Sequence, residues 1–276
     1  MLIRIISAII AIAFAVVFTF IKGGLPFTIC VAVVAAISSF EYFRCVKRKG
    51  ARPILWIGVL VVIILAVSPK YDFGKWYSVS ITALLITSFI RELTNKERQI
   101  FVNLGATALG VIYVGWLISH VTSIRVIHGT TRLWGMTYET GAILIMYVFL
   151  ITWACDSSAY FIGKYFGKKK FVPKISPNKT IEGAIGGFCG AIIFAFGIGY
   201  LISIPFPHSL ILGIILGILC EAGDLFASAL KREMGIKDFG NIMPGHGGAL
   251  DRLDSLLFTA PAAYYYFIIF LKDWLK

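Results

Sequence analysis

The chain has 276 residues, of which 58% are hydrophobic and only 14% charged, with a formal net charge of +12. Soluble domains run near roughly 45–50% apolar and about 25% charged. This composition therefore excludes a soluble enzyme, a disordered chain and a disulfide-rich secreted module. What remains is a polytopic membrane protein, in which a basic excess first means positively charged inner loops and anionic partners at the bilayer surface.

In chain order, nine apolar runs approach the roughly 20 helical residues that a bilayer core demands. They cover 2–21, 25–43, 53–69, 75–91, 100–119, 138–156, 181–204, 208–231 and 250–271. The first carries Arg4 and ends at Lys22, with no A-x-A cleavage pattern after it. It reads as a retained span rather than a signal peptide. The runs are too continuous for the alternating strands of a barrel, and a backbone in lipid must bond internally, so helices are expected. The fold class predicted is an all-α integral membrane protein, a bundle of about nine transmembrane helices with a cytoplasmic N-terminus. It divides into an N-terminal bundle of about five spans, 1–137, and a C-terminal catalytic region of about four spans, 138–276.

Charge sets the orientation. Arg4, Arg44, Lys47, Arg48, Lys49, Arg52, Arg91, Lys96, Arg98, Lys164, Lys168, Lys169, Lys170, Lys174, Lys179, Lys231, Arg232, Lys237 and Arg252 fall on one side. Lys22, Lys70, Lys75, Arg125, Arg132, Lys272 and Lys276 fall on the other. The imbalance places the richer loops in the cytoplasm. Gly213 and Gly217, with Gly183, Gly186, Gly187 and Gly190, give the small-residue spacing of closely packed membrane helices. The five cysteines form no CxxC pair and read as small apolar residues.

Spans one to six carry essentially no charge in mid-run, whereas the eighth carries Glu221 and Asp224. Acids inside a span are costly and mark function. The three-residue spacing places them on one face, with Ser228 a turn further on and Lys231 and Arg232 beyond. An irregular loop follows, Pro244-Gly245-His246-Gly247-Gly248, and then Asp251 and Asp254 in the first turns of the ninth helix. Gly lets backbone N–H groups approach an anion closely, and a helix N-terminus favours one. A cap and a turn would account for the loop alone, but not for the loop beside Asp224. Hard carboxylates of this kind suit Mg²⁺, which binds through one or two of them plus substrate phosphates. There is no HExxH and no Cys/His cluster, which argues against zinc. With Lys231, Arg232, Lys237 and Arg252 around them, the acids have the composition of a phosphoryl or nucleotidyl transfer site.

A second constellation ends the sixth span and begins the seventh: Asp156-Ser157-Ser158-Ala159-Tyr160, then a lysine-rich stretch, then Ser176-Pro177-Asn178-Lys179-Thr180-Ile181-Glu182-Gly183. Ser176 or Thr180 is placed to cap the seventh helix.

These residues resemble a known family. Ser228-Ala229-Leu230-Lys231-Arg232, Lys237-Asp238, the glycine-rich loop and Asp251-Arg252-Leu253-Asp254 look like the signature of phosphatidate cytidylyltransferases, or CDP-diacylglycerol synthases. The segments at Asp156 and Ser176 resemble that family too, so the likeness covers roughly the C-terminal half. It implies Mg²⁺-dependent conversion of CTP and phosphatidic acid to CDP-diacylglycerol and pyrophosphate. It implies Asp224 and Asp251 as principal metal ligands, supported by Asp254 and Asp156. Lys231, Arg232, Lys237 and Arg252 would bind phosphates, with Ser228 and Ser176 beside them. Gly245, His246, Gly247 and Gly248 would hold the leaving pyrophosphate, and Lys179 would reach a nucleotide or lipid phosphate. The setting implied is the cell (inner) membrane with the site facing the cytoplasm, membrane lipid and CTP as partners, no nucleic acid, and room for a homodimer. The competing readings are a CTP-dependent polyprenol or phytol kinase and, from another class, a cation transporter using Glu221 and Asp224. A CDP-alcohol phosphotransferase is disfavoured because no DGxxAR segment is present.

Overall fold

A computed structural model describes residues 2–71, 73–95, 99–242, 247–272 and 274. Their regular structure is helical apart from two small hairpins. The helices are α1 (Leu2–Phe20), α2 (Leu25–Arg48), α3 (Leu55–Tyr71), α4 (Phe73–Thr94), α5 (Ile100–Gly110) and α6 (Leu117–Arg125), with a π-helical stretch at Val111–Trp116 joining the last two. Then come α7 (Thr140–Phe166), α8 (Ile181–Leu201), α9 (Phe206–Glu233), a 3₁₀ turn at Leu250–Arg252 and α10 (Asp254–Phe270). Each predicted apolar run lies largely on helix.

Five of the described helical stretches are long and apolar enough to cross a membrane: Leu25–Arg48, Ile100–Arg125, Thr140–Phe166, Ile181–Leu201 and Phe206–Glu233. Leu55–Tyr71 is apolar but shorter. Trp56, Phe101, Ile193 and Ile218 stand exposed along their helices. Water would reject such a surface and acyl chains accept it, so the protein is an integral membrane protein.

Two compact units make up the chain. The first joins Met1–Ser123 to Met234–Arg252, and the second joins Ile124–Glu233 to Leu253–Lys276. In the first, α2 packs on α3, α3 on α4, and the π stretch on α3. Pro26, at the start of α2, takes a position where its missing N–H costs no hydrogen bond. In the second unit α7, α8 and α9 pack on one another, and α10 packs on α9 and α7. Glycine makes that packing close. A Cβ added at Gly213 of α9 would stand 2.8 Å from the Ile192 Cα of α8.

The hairpins were not anticipated. β1 (Thr130–Leu133) pairs antiparallel with β2 (Met136–Glu139). Its tip, Trp134 and Gly135, has both φ values positive, as a two-residue hairpin turn requires. β3 (Lys170–Val172) pairs with β4 (Ser176–Thr180), with Lys170 opposite Thr180 and Val172 opposite Ser176. Strands of three to five residues, rich in Lys, Thr and Ser, carry too few apolar alternations to announce themselves.

Candidate active site

The second unit gathers most of the expected acids. The β3–β4 hairpin leads directly into α8, and Thr180 forms the cap, its Oγ1 accepting the Gly183 N–H at 3.1 Å. Ser176, the alternative cap, is paired within the hairpin instead. In the first turn of α8 the Glu182 carboxylate accepts the Lys168 and Lys169 backbone N–H groups, at 3.0 Å and 3.2 Å. At the far end of α9, the Arg232 Nε donates to the Ile175 carbonyl at 3.1 Å. The hairpin is thereby held between two helices.

This mounting directs Lys179 onto α9. Its ammonium lies 2.8 Å from Glu221 Oε2 and 2.9 Å from Asp224 Oδ2. Ser228 Oγ, one turn along, donates to Asp224 Oδ1 at 3.4 Å. The acidic face expected on this helix is therefore present, with a lysine seated across it. Burial opposes the charged form of Lys179, but the Asp224 and Glu221 carboxylates outweigh it and hold the lysine above its ordinary pKa. Gly187 of α8 makes room: a Cβ there would stand 2.8 Å from Glu221 Oε1.

Asp156, at an exposed position of α7, accepts hydrogen bonds through Oδ1 from Ser255 Oγ at 3.2 Å and Cys220 Sγ at 3.3 Å. Asp254 opens α10, its Oδ1 accepting the Ser255 N–H at 2.9 Å. The charges of Asp156, Asp224 and Asp254 act on one another, and that of Lys231 acts on Asp254. Sequence reasoning did not single out Ser255 or Cys220. Both orient Asp156, and a serine or a cysteine in an apolar helix carries no signal of that kind.

Asp251 belongs to the first unit. It is buried in the 3₁₀ turn, and its Oδ2 accepts the N–H groups of Phe239 and Gly248 at 2.9 Å and 3.0 Å. Asp251 and Asp254 do not share one continuous helix, because the 3₁₀ turn ends at Arg252 and α10 starts at Asp254. Gly247 has φ +83, a left-handed conformation that suits glycine. Lys237 and Arg252 are exposed in this unit. Gly245 and His246 lie outside the described residues. Glu41 of α2 is a buried acid in this unit that the sequence reading passed over. Its signal was its position, a lone carboxylate near the end of an apolar run.

Among the described residues no group of three or more His, Cys, Asp or Glu side chains is arranged to hold a metal ion. Mg²⁺ rarely needs such a cage. It usually takes one or two carboxylates and completes its shell with water and phosphate oxygens. Asp224, Asp156 and Asp254 are hard oxygen donors of the kind such a shell uses.

Acids and a bound lysine set among apolar helices suit transfer chemistry on anionic substrates, and sequence comparison agrees. The chain belongs to the Cytidylyltransferase family, whose model matches residues 2–270. It is similar to the phosphatidate cytidylyltransferase of Bacillus subtilis, 36% identical over 275 residues, which are 97% of each chain. It is similar also to the proteins of that name from Synechocystis, 31% identical over 97% of each chain, and Staphylococcus aureus, 35% identical over 95% of this chain and 96% of the relative.

Proposed function

We propose that the protein transfers the cytidylyl group of CTP to phosphatidic acid, giving CDP-diacylglycerol and pyrophosphate. The observation that carries this reading is end-to-end similarity to proteins named phosphatidate cytidylyltransferase. A phosphate oxygen of the lipid attacks the α-phosphorus of CTP. The bond from that phosphorus to the oxygen bridging it to the β-phosphorus breaks, and pyrophosphate leaves with the electron pair. The nucleophile is already an anion, so alignment and charge neutralisation matter more than base catalysis.

Mg²⁺, when bound, would neutralise phosphate charge and polarise the α-phosphoryl group. In the second unit Asp224, with Asp156 and Asp254, would hold it. In the first unit we assign Asp251 the same kind of duty. Lys179, Lys231 and Arg232 bind phosphate oxygens in this reading, and Lys237 and Arg252 do so in the first unit, where the Gly248 N–H is already given to Asp251. An arriving triphosphate competes with Glu221 and Asp224 for the Lys179 ammonium, so substrate binding draws that lysine off the acids. We further propose that the helices form nine spans with the N-terminus and active site facing the cytoplasm of the cell membrane.

The test is purified protein with α-labelled CTP, phosphatidic acid and Mg²⁺ in detergent. Labelled CDP-lipid and pyrophosphate in equal amounts are expected. Release of CDP with no pyrophosphate identifies a lipid kinase instead, and no turnover removes the proposal.

A further inference from the structure

In the first unit, α2 grips the segments 234–242 and 247–252. Glu41 is only 4% exposed, and its Oε2 accepts the Leu250 N–H at 3.0 Å. Its Oε1 is buried with no hydrogen-bond partner. One turn further along α2, Cys45 Sγ donates to the Phe239 carbonyl at 3.2 Å. The N–H groups of Phe239 and Gly248 in turn fix Asp251 Oδ2. One face of a single helix therefore holds both segments whose amides orient this aspartate.

The approach is closest where glycines stand. A Cβ at Gly240 would stand 2.0 Å from Glu41 Oε1, and one at Gly248 would stand 2.5 Å from Oε2. Stability alone does not ask for this arrangement. A buried carboxylate with one oxygen unpaired is costly, and apolar residues of similar volume would fill the space more cheaply.

We propose that Glu41 is a positioning residue: through Leu250, and with Cys45 through Phe239, it fixes the two segments so that the Asp251 carboxylate keeps one orientation. The N-terminal helices then serve as the mount for an acid of the reaction as well as a membrane anchor. This step rests on Asp251 taking part in the transfer chemistry; the grip itself does not.

Two readouts separate the claims. The first is amide hydrogen exchange of 236–242 and 247–252 in detergent-solubilised full chain. The second is kcat and the Mg²⁺ concentration for half-maximal velocity, with CTP and phosphatidic acid. In Glu41→Ala the Phe239, Gly248 and Leu250 amides should exchange about tenfold faster. Its kcat should fall about 10- to 100-fold, as misplacement of a reacting group does, with a higher Mg²⁺ midpoint. Glu41→Gln, which keeps an acceptor of the same shape, should restore slow exchange and most of the turnover. Wild-type exchange and kcat in Glu41→Ala overturn the proposal, as does a Glu41→Gln no better than Glu41→Ala. Where Glu41→Ala does not fold, Cys45→Ala decides: faster exchange at 236–242 supports the grip and unchanged exchange refutes it. Wild-type protein with no turnover, but with the segments loosened in Glu41→Ala, leaves the grip standing and rejects the function.

Discussion

At the scale of the residue, Lys179 sets the character of the second unit. Two carboxylates, 15% and 33% exposed, share its charge. Removing it strands both. Lys179→Met should therefore cost about 2–3 kcal/mol, below the full range for a buried pair because Asp224 is partly solvated. Adding Glu221→Gln should return part of that stability. Activity should not return with it, if the lysine also meets phosphate. A thermal melt and a turnover assay on the single and double variants read both halves of this statement. Asp224→Asn should retain the fold and lose at least about 100-fold in kcat, with a higher Mg²⁺ concentration for half-maximal velocity, because in the proposed reaction it removes a charged metal ligand. The acids were legible in the sequence because a carboxylate in an apolar helix is expensive and stands out. Their lysine was not legible as their partner, since it lies 42 residues from Glu221 in the chain and a short hairpin makes the introduction.

Single elements carry the positioning. α8 begins at Thr180, whose hydroxyl takes one orphan N–H of the first turn. Thr180→Ala should cost about 1 kcal/mol and Thr180→Ser only a few tenths, measured as melting of the detergent-solubilised protein. The strand holding Lys179 runs straight into this cap, so the alanine variant should also raise KM for CTP. Gly213→Leu should do more damage, because its Cβ would meet the α8 backbone at Ile192. Overpacking of this kind costs about 1–3 kcal/mol. The helices themselves were readable from hydrophobic runs of bilayer length. The hairpins were not, because pairing between strands of three to five polar residues is a tertiary outcome with no periodic trace. The break between Asp251 and Asp254 was hidden for a similar reason. The amides that Asp251 accepts belong to Phe239 and Gly248, and no local pattern announces that contact.

The whole molecule is organised by where its charge falls. A Cys at Lys169, on a Cys189→Ser background, should react with an impermeant thiol reagent only in inside-out vesicles. A Cys at Arg132, on the β1–β2 hairpin, should react only in right-side-out ones. Labelling of both from one side would reject the nine-span topology. Composition had already announced the membrane, and the positive-inside bias supplies the orientation that this labelling tests. Neither could say that residues 234–252 fold with the first helices rather than with the acids that flank them in the chain.

That arrangement has a consequence in time. Leu250 lies 209 residues after Glu41. At a synthesis rate of about 5–20 residues per second, α2 leaves the ribosome roughly 10–40 s before the amide that will cap its carboxylate has been made. Throughout that interval Glu41 lacks the Leu250 donor, and the first unit stays unfinished while the intervening helices are made. Only when the chain is almost fully translated does its earliest-made portion acquire its last element.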